Sequence, residues 1–168
     1  ARILAHDAQL DLALLQVELP AGRSFPPVPL AAAELKRGAG VLAIGFPTVG
    51  AAPSEDRLVT QGIVSATPDE REDGMLVLDC RVNPGNSGGP LCDAAGNVAG
   101  MVRAKSRVGT WVDSYGMAVP AGVLRAFLDK HLPAGRTPPE PRQAAAPLPW
   151  HQVDDLVAPS VVLVVRSK

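Results

Sequence analysis

The stretch RVNPGNSGGPLCD, residues 81 to 93, places a single serine, Ser87, among three glycines and two prolines. A candidate strand lies on each side of it. Such a loop adds little to a core because its side chains are small, and its glycines lose much backbone entropy on folding. Loops of this kind often carry functional groups on a rigid scaffold, so Ser87 is the first candidate functional residue.

Composition sets limits on the class of protein. The chain has 168 residues, of which 46% are hydrophobic and 20% are charged, enough to bury a core. Its net charge of -1 comes from 16 basic and 17 acidic residues and gives no electrostatic case for nucleic acid. No apolar run approaches the roughly 20 residues of a membrane span. We therefore expect neither a nucleic-acid partner nor a membrane span, and the sequence indicates no cofactor and no metal site.

Short strand candidates dominate the chain up to about residue 119. They are apolar or alternating runs separated by turns rich in Gly, Pro and Asp. This spacing predicts an antiparallel sandwich or barrel rather than a parallel sheet. The candidates span residues 10–19, 40–46, 57–67, 75–82, 97–106 and 109–120.

One helix is predicted after the strands. Residues 121–132 place Val123, Leu124, Phe127 and two further leucines on one face, between Pro120 and Pro133. Residues 133–149 are rich in Pro and Ala, lack periodicity and predict a semi-extended linker that does not pack. Beyond them we expect a short amphipathic turn and then a strand from Ser160 to Val165.

The serine loop allows two interpretations. The sequence GNSGG fits G-x-S-x-G, the nucleophile elbow of α/β-hydrolases, and the chain order Ser87, Asp113, His131 suits that class. In such an elbow a helix begins directly after the serine. Here two glycines and Pro90 follow, which start a helix poorly.

The second interpretation is a loop between antiparallel strands. A glycine two residues before the serine allows the N–H groups of Gly85 and Ser87 to turn toward one point and form an oxyanion hole. Gly88 and Gly89 would leave room for a substrate backbone. A plain tight turn is the structural alternative.

The order of motifs along the chain favours the second interpretation. In combination they resemble the trypsin-like serine proteases, specifically the bacterial HtrA/Deg branch, over residues 1 to about 132. The resemblance implies a chymotrypsin-like all-β fold and hydrolysis of peptide bonds in polypeptide substrates. The motifs are DLALLQV (11–17), VLAIGFP (41–47), TQGIVSA (60–66), NPGNSGGPL (83–91), GNVAGM (96–101) and YGMAVP (115–120).

The same resemblance implies roles for individual residues. Ser87 matches the nucleophile, with Gly85 and Ser87 as oxyanion donors. Asp11 matches the acid that orients the catalytic histidine, and Asp7 is a nearby competitor that does not directly precede the apolar run. Val82 matches one wall of the primary specificity pocket.

The opposite wall of that pocket matches residues 102–106, where this chain departs from the family's apolar side chains. Arg103 and Lys105 stand there, and strand alternation puts both on one face. They either point to solvent, which we favour, or line the pocket and select an acidic residue before the cut.

The catalytic histidine of the family has no match in this chain. His6 is separated from Asp11 by an odd offset, which puts the two on opposite faces of one strand. His131 ends the last helix, and His151 lies beyond the linker. A two-barrel protease needs roughly 200 residues. We therefore expect part of the first barrel in residues 1–30 and the complete second barrel in 38–120, with the helix completing a domain of residues 1–132.

The C-terminal residues leave two hypotheses. LVAPSVVLVV resembles the opening strand of the same family, so residues 150–168 would begin a second, tandem protease-like domain, or dock on residues 10–19 as in a circular permutant. We favour the tandem hypothesis.

Two further expectations concern function and chemistry. The alternative to a serine endopeptidase is an inactive pseudoprotease that binds peptides or partners by β-augmentation. Family resemblance favours a periplasmic or secreted location. Cys80 and Cys92 flank the serine loop, and we expect both to be reduced.

Overall fold

Six antiparallel strands close a barrel between residues 40 and 120 of this computed structural model, which describes residues 1–47, 56–105 and 115–164. Two further strands form a separate ribbon, and two α-helices follow the barrel. The strands are β1 (Arg2–Asp7), β2 (Leu12–Gln16), β3 (Gly40–Gly45), β4 (Leu58–Ala66), β5 (Leu76–Leu78), β6 (Pro90–Cys92), β7 (Val98–Lys105) and β8 (Gly116–Pro120). The helices are α1 (Ala121–His131) and α2 (Trp150–Val157), and short 3-10 turns span Pro68–Glu70 and Ala158–Ser160.

The order of strands around the barrel is β3-β4-β5-β8-β7-β6. The barrel closes where β6 pairs with β3, with Leu42 opposite Cys92. This confirms the predicted all-β fold with a complete second barrel. The predicted strand at 109–120 corresponds to β8, while its first part lies outside the described residues.

The run VLAI of β3 shows why this strand is apolar on both faces. Val41 and Ala43 point into the barrel interior. Leu42 and Ile44 point outward and are equally buried, because α2 covers that side. A strand covered on both faces reads as a continuous hydrophobic run rather than an alternating one.

The ribbon of β1 and β2 lies within residues 1–30, where the sequence predicts part of a first barrel. Its strands pair with each other, with His6 opposite Ala13. Leu12 anchors it by packing with Met75, Val119 and Phe127. Because Phe127 lies on α1, the predicted helix connects the ribbon to the barrel.

Helix α2 was not predicted from the sequence, which indicated only a short amphipathic turn. Val153 and Val157 are fully buried against Leu42, Ile44 and Cys92 on the outer face of the barrel. Their spacing of four residues places them on one side of the helix. The apolar residues on the outer face of β3, Leu42 and Ile44, could have indicated that a helix covers this face, because an exposed apolar surface on the barrel is unfavourable.

The strand predicted from Ser160 to Val165 is wrong for the residues that the structure describes. Ala158–Ser160 form a 3-10 turn with a proline in its first positions, and residues 161–164 belong to no strand. The Ser160 hydroxyl donates to the carbonyl of Pro26, and Val161 packs beside α2. Residues 161–164 do not pair with residues 10–19, so these residues give no support to the permutant hypothesis. The tandem domain stays a prediction.

The prediction that residues 133–149 would not pack is also wrong. The N–H of Arg142 donates to the side chain of Asn97 at 2.7 Å, and Asn97 returns a bond to the carbonyl of Arg142 at 3.1 Å. The N–H of Leu148 donates to the carbonyl of Ala94 at 2.8 Å. The prolines lack N–H donors, but the residues between them supply donors to the β6–β7 turn.

Both cysteines are free and buried, as predicted. Burial raises the pKa of Cys80 to about 11 and that of Cys92 to about 12. Across the described ranges, no helix has the length and hydrophobicity to cross a membrane.

Candidate active site around Ser87

The serine loop connects β5 to β6 and is fixed by backbone hydrogen bonds. The N–H of Asn86 donates to Asn83, and that of Gly89 donates to Asn86, each at 3.0 Å. Gly88 and Val102 tie the loop to β7, because the N–H of Gly88 donates to the carbonyl of Val102 at 2.7 Å. The loop is therefore held rigidly although few of its side chains pack.

Gly85 is required by both its conformation and its surroundings. Its φ of 99° lies in the region that side chains avoid. A Cβ here would collide with the carbonyl oxygen of Phe46 and approach the Cα of Pro47 to 2.9 Å. The carbonyl of Gly85 also accepts the N–H of Phe46 at 3.2 Å. The end of β3 thus supports the backbone where the sequence predicted one oxyanion donor.

Ser87 is exposed at the tip of the loop. Its hydroxyl donates to the carbonyl oxygen of Arg103 at 2.8 Å. A backbone carbonyl cannot remove the serine proton, so this partner holds the hydroxyl without activating it.

Asp11 directly precedes β2 and is exposed, with a left-handed φ of 56°. Aspartate tolerates this conformation better than most residues. The carboxylate of the competing Asp7 accepts the N–H groups of Leu10 and Gln9, and these bonds lower its pKa. Asp7 therefore caps the β1–β2 turn, which leaves the Asp11 carboxylate to face β7.

Asp11 and Ser87 line one cavity of about 240 Å³, although they lie far apart in the sequence. Its other walls are Gly88, Met101, Val102 and Arg103. The guanidinium of Arg103 lies 3.7 Å from the Asp11 carboxylate. The structure thus brings three of the predicted site residues together.

Of the residues predicted to line the specificity pocket, only Arg103 is among the described residues that line this cavity. Val82 is only 2% exposed and belongs to the core inside the barrel, against Gly116. Arg103 points toward Asp11 and not toward Val82. On the same strand, Lys105 pairs through its backbone with Gly116, and its side chain lies outside the described residues.

A larger cavity of about 650 Å³ opens on the other side of Ser87. Its lining includes Gly85, Phe46 and the tail residues 161–164. The exposed, apolar Val162, Leu163 and Val164 give it a hydrophobic wall. Such a surface beside an exposed hydroxyl suits the side chains of an extended peptide.

No histidine is among the described residues lining either cavity at Ser87. His6 and His151 are exposed on β1 and α2, and His131 contacts Phe127 in a tilted arrangement with the ring centroids 4.8 Å apart. The elbow interpretation is wrong, because Ser87 is followed by a turn and β6 instead of a helix. Asp113 lies outside the described residues.

Among protein-family models, that of the trypsin-like peptidase domain matches residues 1–101 of this chain. The chain belongs to this family. A probable periplasmic serine endoprotease, DegP-like, from Pseudomonas fluorescens is 40% identical over 106 residues, covering 60% of this chain and 21% of the relative. The putative serine protease HhoA of Synechocystis is 36% identical over 150 residues, covering 83% of this chain and 35% of the relative.

A solved structure gives the same assignment. The crystal structure of the serine endoprotease from Yersinia pestis matches with a TM-score of 0.63 and 30% identity, covering 80% of this chain and 44% of that one. These similarities place the chain in the HtrA-like branch of the trypsin-like fold. The chain spans about a fifth to a third of the length of the curated relatives that it matches here.

The contact between Arg103 and Asp11 was missed at the sequence level. Strand alternation indicates which face Arg103 occupies but not that the β1–β2 turn docks beside it. That docking depends on Leu12, whose burial next to α1 brings the turn to β7.

Proposed function

We propose that the protein is a serine endopeptidase in which Ser87 is the nucleophile and Asp11 orients a histidine supplied from outside these 168 residues. One observation carries the proposal: Asp11 and Ser87, on distant segments, line the same cavity of about 240 Å³. A serine, an acid and a space between them are the elements of a triad that lacks its base.

The proposed mechanism is acyl transfer. The oxygen of Ser87 attacks the peptide carbonyl carbon while the histidine takes the hydroxyl proton. The N–H groups of Gly85 and Ser87 hold the oxyanion. The C–N bond then breaks, and the histidine gives its proton to the leaving amine. In the second half of the reaction the histidine takes a proton from water, which attacks the acyl-enzyme, and returns that proton to the Ser87 oxygen as the ester bond breaks.

Two features of the site support these roles. The hydroxyl of Ser87 is exposed and needs only a rotation about its side chain to leave the carbonyl of Arg103. The positive φ of Gly85 and its contact with β3 fix the backbone that would bind the oxyanion. A fixed backbone at Gly85 supports the proposal of a preorganised oxyanion hole, and preorganisation gives such donors most of their catalytic effect.

The second candidate is a pseudoprotease that binds peptides without cleaving them. The hydrogen bond of Ser87 to Arg103, and the lack of a histidine in the described walls of both cavities, favour this function for the chain alone. The apolar cavity beside Phe46 would then bind an extended segment. Arg103, which lines the smaller cavity, is proposed to influence which residue is accepted.

The substrates are proposed to be polypeptides, and the location periplasmic or secreted. Relatives named as periplasmic serine endoproteases support the location. The test is casein hydrolysis by the full-length protein that contains this chain. Ser87→Ala should abolish it, whereas Ser24→Ala, which removes the hydroxyl of another exposed serine that lines neither cavity, should retain it. Equal activity in both variants would contradict the role of Ser87.

A further inference from the structure

Strand β3 lies between helix α2 and the serine loop, and its last residues touch both. The side chain of Ile44 is buried and packs in one cluster with Val153 and Val157 of α2. Its main-chain carbonyl lies against the serine loop, since a Cβ added at Gly89 would collide with this oxygen. The same residue therefore contacts the helix through its side chain and the loop through its backbone.

The contact between β3 and the serine loop continues over the next two residues. A Cβ at Gly45 would lie 2.9 Å from both the Cα and the side-chain oxygen of Asn86. The N–H of Phe46 donates to the carbonyl of Gly85 at 3.2 Å. Protein interiors packed this closely transmit a displacement because they are hardly compressible. A shift of β3 would therefore move the backbone of Gly85, the proposed oxyanion donor.

Helix α2 supports β3 over most of its length. A Cβ at Gly40, the first residue of β3, would lie 2.9 Å from the indole ring of Trp150, the first residue of α2. Further along the helix, the fully buried Val153 belongs to the cluster that contains Leu42 and Ile44. The position of β3 on its outer side is therefore set by α2.

The docking of α2 is separable from the closure of the barrel. Eight residues are too few for a helix that is stable alone in water, so α2 depends on its apolar face for its structure. The barrel closes where β6 pairs with β3, and no residue of α2 takes part in that ladder. Loss of contacts from α2 should therefore loosen the outer side of β3 without opening the barrel.

We propose that α2 is a positioning element for the serine loop: Val153, acting through Ile44 and the end of β3, fixes the backbone of Gly85. The inference rests on the proposed function for the role of that backbone as an oxyanion donor. Val153 is absent from the described walls of both cavities at Ser87, whereas Val157 lines the larger one. An effect of Val153 on catalysis must therefore pass through β3.

The first measurement is hydrogen exchange in the full-length protein that contains this chain, followed by mass spectrometry of its peptides. In Val153→Ala, the protected amides of the peptide covering residues 81–93 should exchange about tenfold faster, within the range that loss of buried methyl groups produces. The peptide that covers β8, which lies opposite β3 in the barrel, should not change. Phe127→Leu is the matched control, because it weakens a different buried cluster under α1 and should leave the loop peptide unchanged.

The second measurement separates positioning from a merely structural role. Val153→Ala should lower the kcat of casein hydrolysis about fivefold at unchanged KM, because an oxyanion donor acts in the transition state and is here displaced but not removed. Leu156→Ala, at a half-exposed position of the same helix, should keep both constants. Ile44→Val, which keeps most of the contact with α2, should lower kcat less than Ile44→Ala.

The outcomes distinguish this inference from the proposed function. Exchange of the loop peptide that is unchanged in Val153→Ala, or that rises equally in Phe127→Leu, would overturn the inference, while casein hydrolysis that requires Ser87 would still support the nucleophile. Faster exchange with an unchanged kcat would also overturn the positioning role. Faster exchange in a protein whose casein hydrolysis does not require Ser87 would support the coupling of α2 to the loop and contradict the nucleophile.

Discussion

The hydroxyl of Ser87 donates to the carbonyl oxygen of Arg103 at 2.8 Å, so the serine of the glycine-rich loop is held by the strand that also holds Asp11. β7 is thus the common support of the site. Its carbonyl and guanidinium occupy the two groups that a triad histidine would join. Variants in the serine loop, in helix α2 on the outer face of the barrel and at the buried Cys92 test three separate features of the structure.

Ser87→Ala should fold and lose little stability. Its hydrogen bond is exposed, so we expect a loss at the lower end of the ~0.5–1.5 kcal/mol typical of one hydrogen bond. Ser160→Ala, which loses a comparable bond to Pro26, should lose a similar amount in urea unfolding. A much larger loss for Ser87→Ala would assign this serine a structural role.

Gly85→Ala should destabilise the protein more than Gly22→Ala. Both glycines have positive φ, at 99° and 79°, so both variants are strained by about 1 kcal/mol. A Cβ at Gly22 meets nothing within 4 Å, whereas one at Gly85 collides with the backbone of Phe46. Thermal melting of the two variants measures the difference, and equal midpoints would show that the loop is not pressed against β3.

Val153→Ala tests whether α2 belongs to the barrel. The side chain is fully buried over Leu42 and Cys92, and losing two methyl groups there should cost roughly 2 kcal/mol. Leu156→Ala on the same helix removes more atoms from a half-exposed position and should cost less than about 1 kcal/mol. The reverse order in denaturant unfolding would mean that α2 does not pack in solution as described.

The buried thiols predict a loss of stability at alkaline pH. The folded pKa of Cys92 is raised to about 12 from an ordinary value of 9.0. The unfolded state therefore releases this proton first as the pH rises. Stability is fully present below pH ~9 and should fall by up to about 1.4 kcal/mol per pH unit above it, until the folded thiol also ionises.

The Cys92→Ala variant isolates this effect, since other groups also titrate in alkaline solution. Its unfolding free energy, measured from about pH 8 to pH 10.5, should decline less steeply than that of the unmodified chain. Parallel declines would show that Cys92 is accessible to water in the folded state.

The 168-residue chain alone should neither hydrolyse casein nor react with a fluorophosphonate probe. No histidine is among the described residues that line the two cavities at Ser87, so no imidazole is in place to take its proton. Overnight incubation followed by intact-mass analysis is the measurement. Robust labelling that disappears in Ser87→Ala would instead implicate His6, His131 or His151 as the base.

Much of the fold could be predicted from local patterns. The spacing of strands and turns indicated an antiparallel barrel, and the periodicity of residues 121–132 indicated α1. The glycine-rich loop pointed to Ser87 through a local pattern, and the resemblance of the motif series to trypsin-like proteases implied the role of Asp11. The cavity that they share depends on the docking of the β1–β2 turn through Leu12, which no local pattern encodes.

The C-terminal residues were harder to predict for a physical reason. The run SVVLVV has a high propensity for strands, but packing can override propensity. Here the closed barrel offers no free edge, residues 161–164 do not use the free edges of the β1–β2 ribbon, and the preceding residues pack on the outer face of β3. Similarly, the proline-rich segment packs because Asn97, buried in the β6–β7 turn, needs partners for its amide.

Our central claim is that Ser87 is a nucleophile whose base comes from outside this chain. The most direct measurement is mass-spectrometric mapping of the fluorophosphonate adduct on the full-length protein, beside the 168-residue chain. We expect an adduct on the peptide that contains Ser87 in the full-length protein, and none in its Ser87→Ala variant or in the chain alone. An adduct on a different residue, or casein hydrolysis that persists in Ser87→Ala, would contradict the claim.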